Sequence, residues 1–367
     1  MANKIDIKSI TANVKRVCDD ADALNLYKRS AVESSYMVTL KQLRDLYRHE
    51  VNLEPWEEPP EIEFTFWLRE KLEKLKKLVR KADKSTTIPN IQIANHSYAP
   101  TEVSAIKEAL NPFDFYYNVS IYNAGMDYGD ETLILLAEIK KSWTQDGYKC
   151  YILGKELART YNYSLDKVAL KDRKDIFGRT EAARWLVWNK INALKNPKEY
   201  YCPKDYRSIS TQAFSYYGLS EKQLNEKPEK LARKVDEIAM SELKYDIYHE
   251  FGHATIEDKE ILPNELFTKI IKFASDTDLK RQIISLNEML ADTVPGGTLD
   301  QIIEDKNSGA LAFRAMGTGE DKIRQNYQNY WKLFFRSYKE TKDWGLLEKL
   351  RKATFGSLSS IATNIRR

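Results

Sequence analysis

The sequence predicts an α+β protein, predominantly α-helical, with a small β-sheet. Two observations predict it. Apolar residues recur with the 3.6-residue period of a helix through most of the chain beyond residue 180 and again within the first 85 residues. A clear period of two runs only over residues 113–122. The chain has 367 residues, 42% hydrophobic and 31% charged, enough for a substantial core and about two domains.

The first 85 residues read as a polar helical region. Within it, residues 62–83 place Phe66, Leu68, Leu72, Leu75 and Val79 near one stripe. Pro59 and Pro60 stand at the start of this helix, where proline is tolerated. The basic run Lys74, Lys76, Lys77, Arg80 and Lys81 reads as its solvated face. Residues 84–100 lose the helical period and hold two prolines, which makes them a linker, with IQIA inside it as a short strand. The predicted domains are therefore 1–85, helical, and 86–367. Helix resumes at 101–110 with Thr101 as its cap.

The strand at 113–122 alternates Phe113, Phe115, Tyr117, Val119 and Ile121 with Asp114, Tyr116, Asn118, Ser120 and Tyr122. Asn123-Ala124-Gly125 reads as the turn that ends it. Residues 131–142 read as a helix capped by Asp130, and 149–153 as a second strand, so the sheet spans about 90–155. Helices follow at 180–195, 229–257, 264–273, 276–293, 319–342 and 345–364.

Composition excludes several classes. No apolar stretch approaches the length of a membrane span, and the N-terminus lacks the apolar core of a secretory signal. The net charge of +4 argues against nucleic acid as a partner. Cys18, Cys150 and Cys202 form no Cys-x-x-Cys pair, so neither a disulfide framework nor a thiolate zinc site is indicated. They read as buried thiols in a reducing cytoplasm. The sequons at Asn95, Asn118 and Asn162 then carry no meaning.

The chemistry lies in HEFGH, residues 249–253, which holds two of only four histidines. Residues four apart on a helix share one face, so His249 and His253 can bind one tetrahedral metal ion. Glu250 points about 100° around the helix and can reach a water on that ion. Gly252 lets another segment approach closely. No histidine follows His253 and no cysteine follows Cys202, which leaves a carboxylate as third ligand. Glu288 is the strongest candidate, with Glu257, Glu260, Glu265 and Asp278 as rivals. Asp292, one turn after Glu288, can accept the free N–H of a ligating imidazole.

HEFGH followed by Asn287-Glu288-x-x-x-Asp292 resembles the gluzincin metallopeptidases, the HExxH + Glu group that includes thermolysin-like and M1-type enzymes. The Glu-x-x-Ala-Asp form is also similar to ImmA/IrrE-type peptidases. The resemblance covers residues 249–293 and implies a zincin-like core with an active-site helix and a third-ligand helix. It implies one Zn2+ per chain on His249, His253 and Glu288, Glu250 as general base, Asp292 orienting His249, and a peptide or protein substrate. The third ligand comes later than in thermolysin-like proteins, so 258–275 would be an added loop and helix. The downstream histidine that donates to the oxyanion there has no counterpart here. Tyr327, Tyr330, Arg314 and His96 are the candidate donors. Strand 113–122 is a candidate for binding substrate along its edge, against the plainer reading of an internal strand. A non-catalytic helical interaction protein with a structural or degenerate metal site is the alternative function. It would hold its partner through 62–83 or 319–342.

Overall fold

The computed structural model describes residues 6–29, 35–81, 86–123, 130–198, 204–273, 277–317 and 322–366. The protein is α+β and mostly helical. It divides into two compact units, residues 1–167 with 179–182, and residues 168–178 with 183–367. The division thus falls well beyond residue 85. The reason is a shared core: the N-terminal helix packs on the sheet and does not form a separate body.

The first unit holds helices α1 (Ile7–Arg29), α2 (Ser35–Glu50) and α3 (Glu61–Val79), a short hairpin β1 (Ile91–Ile93) and β2 (His96–Tyr98), and helix α4 (Val103–Leu110). Strands β3 (Phe115–Asn123), β4 (Asp130–Gln145) and β5 (Tyr148–Arg159) follow, each antiparallel to the next. Ile10, Val14, Val17, Cys18 and Ala21 of α1 share one core with Ile91, Ile93, Tyr117, Val119, Ile134 and Leu136. Cys18 and Cys150 are buried thiols, and Cys202 lies outside the described residues. On α3, Leu75 is buried and Leu68 and Leu72 pack against Leu43, Leu46 and Tyr161. Phe66 leaves that stripe and stands exposed.

Three expectations change here. Residues 131–142 are part of β4, not a helix. Leu133, Ile134, Leu135, Leu136 and Ala137 are all buried, so both faces of the strand are covered and its period of two is erased. Burying each large side chain in this run contributes about 1.5–3 kcal/mol. The cap of α4 is Glu102, without a side-chain bond, and Thr101 lies outside it. Phe113 falls in a 3-10 turn ahead of β3. The turn expected at Asn123-Ala124-Gly125 lies outside the described residues beyond Asn123.

The second unit opens with a hairpin, β6 (Ala169–Asp172) and β7 (Asp175–Arg179), whose last residue belongs to the first unit. Helices α5 (Thr180–Lys195), α6 (Tyr206–Tyr216), α7 (Glu221–Leu224) and α8 (Pro228–Asp258) follow. Then come α9 (Asn264–Phe273), α10 (Thr277–Thr293), α11 (Thr298–Glu304), α12 (Ser308–Ala315), α13 (Lys322–Thr341) and α14 (Trp344–Arg366). The long α8 starts with Pro228 in its first turn and buries Val235, Ile238, Leu243, Ile247, Phe251 and Ala254. Met240 of the same helix stays at the surface. Helix α10 ends before Pro295-Gly296-Gly297, and its Leu286, Leu290 and Ala291 share a core with Ile256 of α8 and Leu358 and Ala362 of α14.

Candidate metal centre

Two helices build the centre. Helix α8 presents His249, Glu250 and His253, and α10 presents Asn287, Glu288 and Asp292. Gly252 allows them to meet: a β-carbon there would lie 1.9 Å from the carbonyl oxygen of Ala291. The spacing of four residues brings the two imidazoles together edge to face, with ring centroids 4.6 Å apart and planes at 88°.

His249 Nε2 lies 3.1 Å from His253 Nε2 and 3.0 Å from Glu288 Oε2, and His253 Nε2 lies 3.7 Å from Glu288 Oε1. The His249, His253 and Glu288 donor atoms all fall within 4.8 Å of one another. Ligands about 2.0–2.1 Å from a tetrahedral zinc ion are separated by about 3.3 Å. The three measured separations bracket that value, so the donor set fits zinc.

The far sides of both rings are held. His249 Nδ1 donates to Asp292 Oδ1 at 2.8 Å, and Tyr327 of α13 donates to Asp292 Oδ2 at 2.6 Å. Asn287 Nδ2 stands 3.3 Å from His253 Nδ1, and a flip of that amide, whose two ends are interchangeable in shape, turns its oxygen to accept the ring N–H. Both Nε2 lone pairs are thereby left for an ion.

Electrostatics follow from this packing. Burial pulls the His249 imidazole down, but Asp292 and Glu288 outweigh it and hold it well above its ordinary value. Burial pushes the Glu288 carboxyl up, yet bonds from His249 and His253 hold it well below the carboxylate range. Burial raises the Glu250 carboxyl, only partly offset by His253 and His249. The Tyr327 phenol is held well above its ordinary value by burial and by Asp292, so it remains a donor.

Glu250 Oε2 accepts the backbone N–H of Lys171 on β6 at 3.0 Å. β6 is an end strand of its sheet, and it lies beside α8 in this unit. β3, the strand weighed from sequence as a substrate edge, is an end strand in the first unit.

The remaining expected donors are placed elsewhere. Tyr327 faces Asp292, on the side of His249 away from Nε2. Arg314 pairs with Asp246 at 2.7 Å and donates to the Glu242 carbonyl at 3.3 Å. Tyr330 is buried, packed between Tyr327 and Phe334, and its hydroxyl has no partner among the described residues. His96 lies exposed on β2 of the first unit. Of the rival carboxylates, Glu257 pairs with Lys171, Glu265 with Lys269 and Asp278 with Arg281. Glu260 sits in the left-handed turn after α8.

Sequence reasoning gave no role to Asn287 and missed Lys171. Asn287 could have been found from its place beside Glu288. Lys171 acts through its main chain and leaves no side-chain signal.

A second grouping, His49 with Glu156 and Glu181, lies in the first unit. Arg179 binds Glu156 at 2.7 and 3.0 Å, and Arg159 approaches it at 3.2 Å. Burial raises the Glu156 carboxyl, but Arg179 and Arg159 bring it down to about 2. Two guanidiniums already supply the positive charge, so this is an ion-pair network, not a metal centre.

Two family models match the chain. Residues 9–179 match the N-terminal domain, and residues 184–367 the C-terminal domain, of a family of unknown function, DUF6866. No curated protein and no solved structure matches. His249, Glu250, His253, Asn287, Glu288, Asp292 and Tyr327 all fall within the C-terminal match.

Proposed function

The chain belongs to the DUF6866 family, and from the geometry in its C-terminal domain we propose that it is a zinc-dependent peptidase. The observation that carries the reading is the convergence of the His249 and His253 Nε2 atoms and the Glu288 carboxylate, with each histidine's Nδ1 facing its own polar partner. Such a donor set leaves a fourth position open, as catalytic sites do. The zincin-like arrangement of active-site helix, third-ligand helix and edge strand is part of the same proposal.

Zinc held there would polarise a peptide carbonyl and bring the pKa of a water towards neutrality. Glu250 takes the proton of the attacking water and returns it to the leaving amine nitrogen. The Lys171 N–H holds Oε2, so Oε1 is the oxygen that carries the proton. Burial raises this carboxyl, which suits a group that must both accept and release a proton near neutral pH.

The peptide lies along β6. Leu170 and Asp172 stand opposite Phe177 and Asp175 across the hairpin. Lys171 N–H points away from β7 to Glu250, and by alternation the Ala169 main chain points the same way. The Ala169 N–H and the carbonyls of Ala169 and Lys171 can therefore pair with an extended substrate.

The test begins with metal content. The purified protein is expected to carry about one zinc, lost in His253→Ala and in Glu288→Ala. Peptide-library cleavage, abolished in Glu250→Gln, would establish the activity. A wild type that stays empty when zinc is supplied sinks the reading. Bound zinc, with a cellular function that Glu250→Gln leaves intact, would favour an interaction protein with a structural metal.

A further inference from the structure

The Asp292 carboxylate stands in an unfavourable place. It is fully buried, and it lies in the last turn of α10, where the negative end of the helix dipole opposes a negative charge. A buried carboxylate oxygen without a donor carries the full desolvation cost of its charge. Asp292 avoids that cost because both oxygens are bonded, Oδ1 by His249 and Oδ2 by Tyr327. The Tyr327 hydroxyl is thus the only donor to Oδ2 found among the described residues. Tyr327 comes from α13, a third helix that supplies none of the proposed ligands. Its ring is fixed by stacking on Tyr330, with centroids 6.3 Å apart, and by the edge of Trp331 at 6.5 Å.

We propose that Tyr327 is a positioning residue of the metal centre: its hydroxyl orients the Asp292 carboxylate, which in turn aims the Nε2 lone pair of His249. The inference rests on the zinc reading and assigns a third helix to the centre. Without the hydroxyl, Asp292 can rotate to share its oxygens differently, and His249 loses its fixed tautomer. The role differs from that of an oxyanion donor, because Tyr327 touches neither substrate nor ion.

The experiment uses the full chain with Tyr327→Phe, which keeps the ring and its stacking. Zinc affinity is measured by competition with a chromogenic chelator, and apo-protein stability by thermal unfolding. Tyr327→Phe is expected to weaken zinc binding roughly tenfold, the lower end for losing an outer partner of a metal-bound histidine. In an Asp292→Ala background the same change is expected to have no further effect on affinity, because its path is gone. Unchanged affinity in Tyr327→Phe, or an equal loss with Asp292→Ala, overturns the proposal. The His249 Nδ1 proton, read by 15N-resolved spectra of the metal-free protein, separates the two failures. If the wild type binds no zinc, the metal reading fails and the proposal with it, whatever the spectra show. If zinc binds and the Nδ1 resonance is the same in wild type and Tyr327→Phe, the positioning role alone is refuted.

Discussion

Gly252 and Ala291 meet backbone to backbone, with space for a hydrogen but not for a methyl group between them. This contact sets the distance between the helix carrying His249 and His253 and the helix carrying Glu288. Glycine inside a helix costs about 1 kcal/mol relative to alanine, so Gly252→Ala would stabilise an isolated α8. Overpacking costs about 1–3 kcal/mol, and here the opposing atom is a main-chain oxygen that cannot rotate away. The clash is expected to win. Gly252→Ala should unfold at lower temperature and bind zinc more weakly than the parent. Differential scanning calorimetry with and without zinc would show both. Equal stability and equal affinity would mean that another contact spaces the helices.

Asp292 and Asn287 orient the two histidines by bonds of different strength. The His249–Asp292 bond is short and charge-assisted at 2.8 Å, whereas Asn287 lies at 3.3 Å from His253 and is neutral. Bonds with an ionised partner are about twice as strong as neutral ones. Asp292→Ala is therefore expected to weaken zinc binding roughly 10- to 100-fold, and Asn287→Ala by several-fold less. The ranking is the discriminating result in chelator competition; an Asn287→Ala loss equal to that of Asp292→Ala would contradict it.

Glu250 holds no ligand position in the centre, so its removal should separate binding from turnover. Glu250→Gln preserves shape and can still accept the Lys171 N–H through its amide oxygen. It is expected to retain about one zinc while peptide cleavage falls by roughly 100- to 10,000-fold, the range for losing a general base. Loss of zinc along with activity would place Glu250 among the ligands instead.

The parts legible in the sequence are those with local cause. Helices α8, α9 and α10 are runs with no proline beyond a first turn, and the metal candidates follow from a spacing of four residues. β4 was hidden because its central residues are buried on both faces. The turn after it did carry a signal: Asp146 and Gly147 both have positive φ, at 49° and 79°, as a two-residue hairpin requires. β6 and β7 are four and five residues long around a charged turn and have no pattern to detect. The bond from Tyr327 to Asp292 joins residues on separate helices, so no spacing rule announces it. The inclusion of α1 in the sheet's core is tertiary in the same sense.

Asp22 gives the first unit a pH-dependent stability. Its carboxyl is buried on α1, with Oδ1 accepting the Tyr161 N–H at 3.0 Å and Oδ2 without a partner among the described residues. Burial pushes it up to about 8, against the opposing pull of Lys71 and the Tyr161 bond. An unfolded aspartate titrates near 3.9. Between these values the folded protein keeps a proton that the unfolded chain has released, so stability is full below about pH 4 and falls as pH rises towards 8. Each unit of pH in that window is worth at most about 1.4 kcal/mol from this group alone, and the whole effect amounts to a few kcal/mol. Asp22→Asn removes the titration while keeping an oxygen for Tyr161. Chemical denaturation at pH 5, 6, 7 and 8 should show a smaller fall in stability for Asp22→Asn than for the parent. Parallel pH profiles for the two proteins would mean that the carboxyl is already ionised in the folded state.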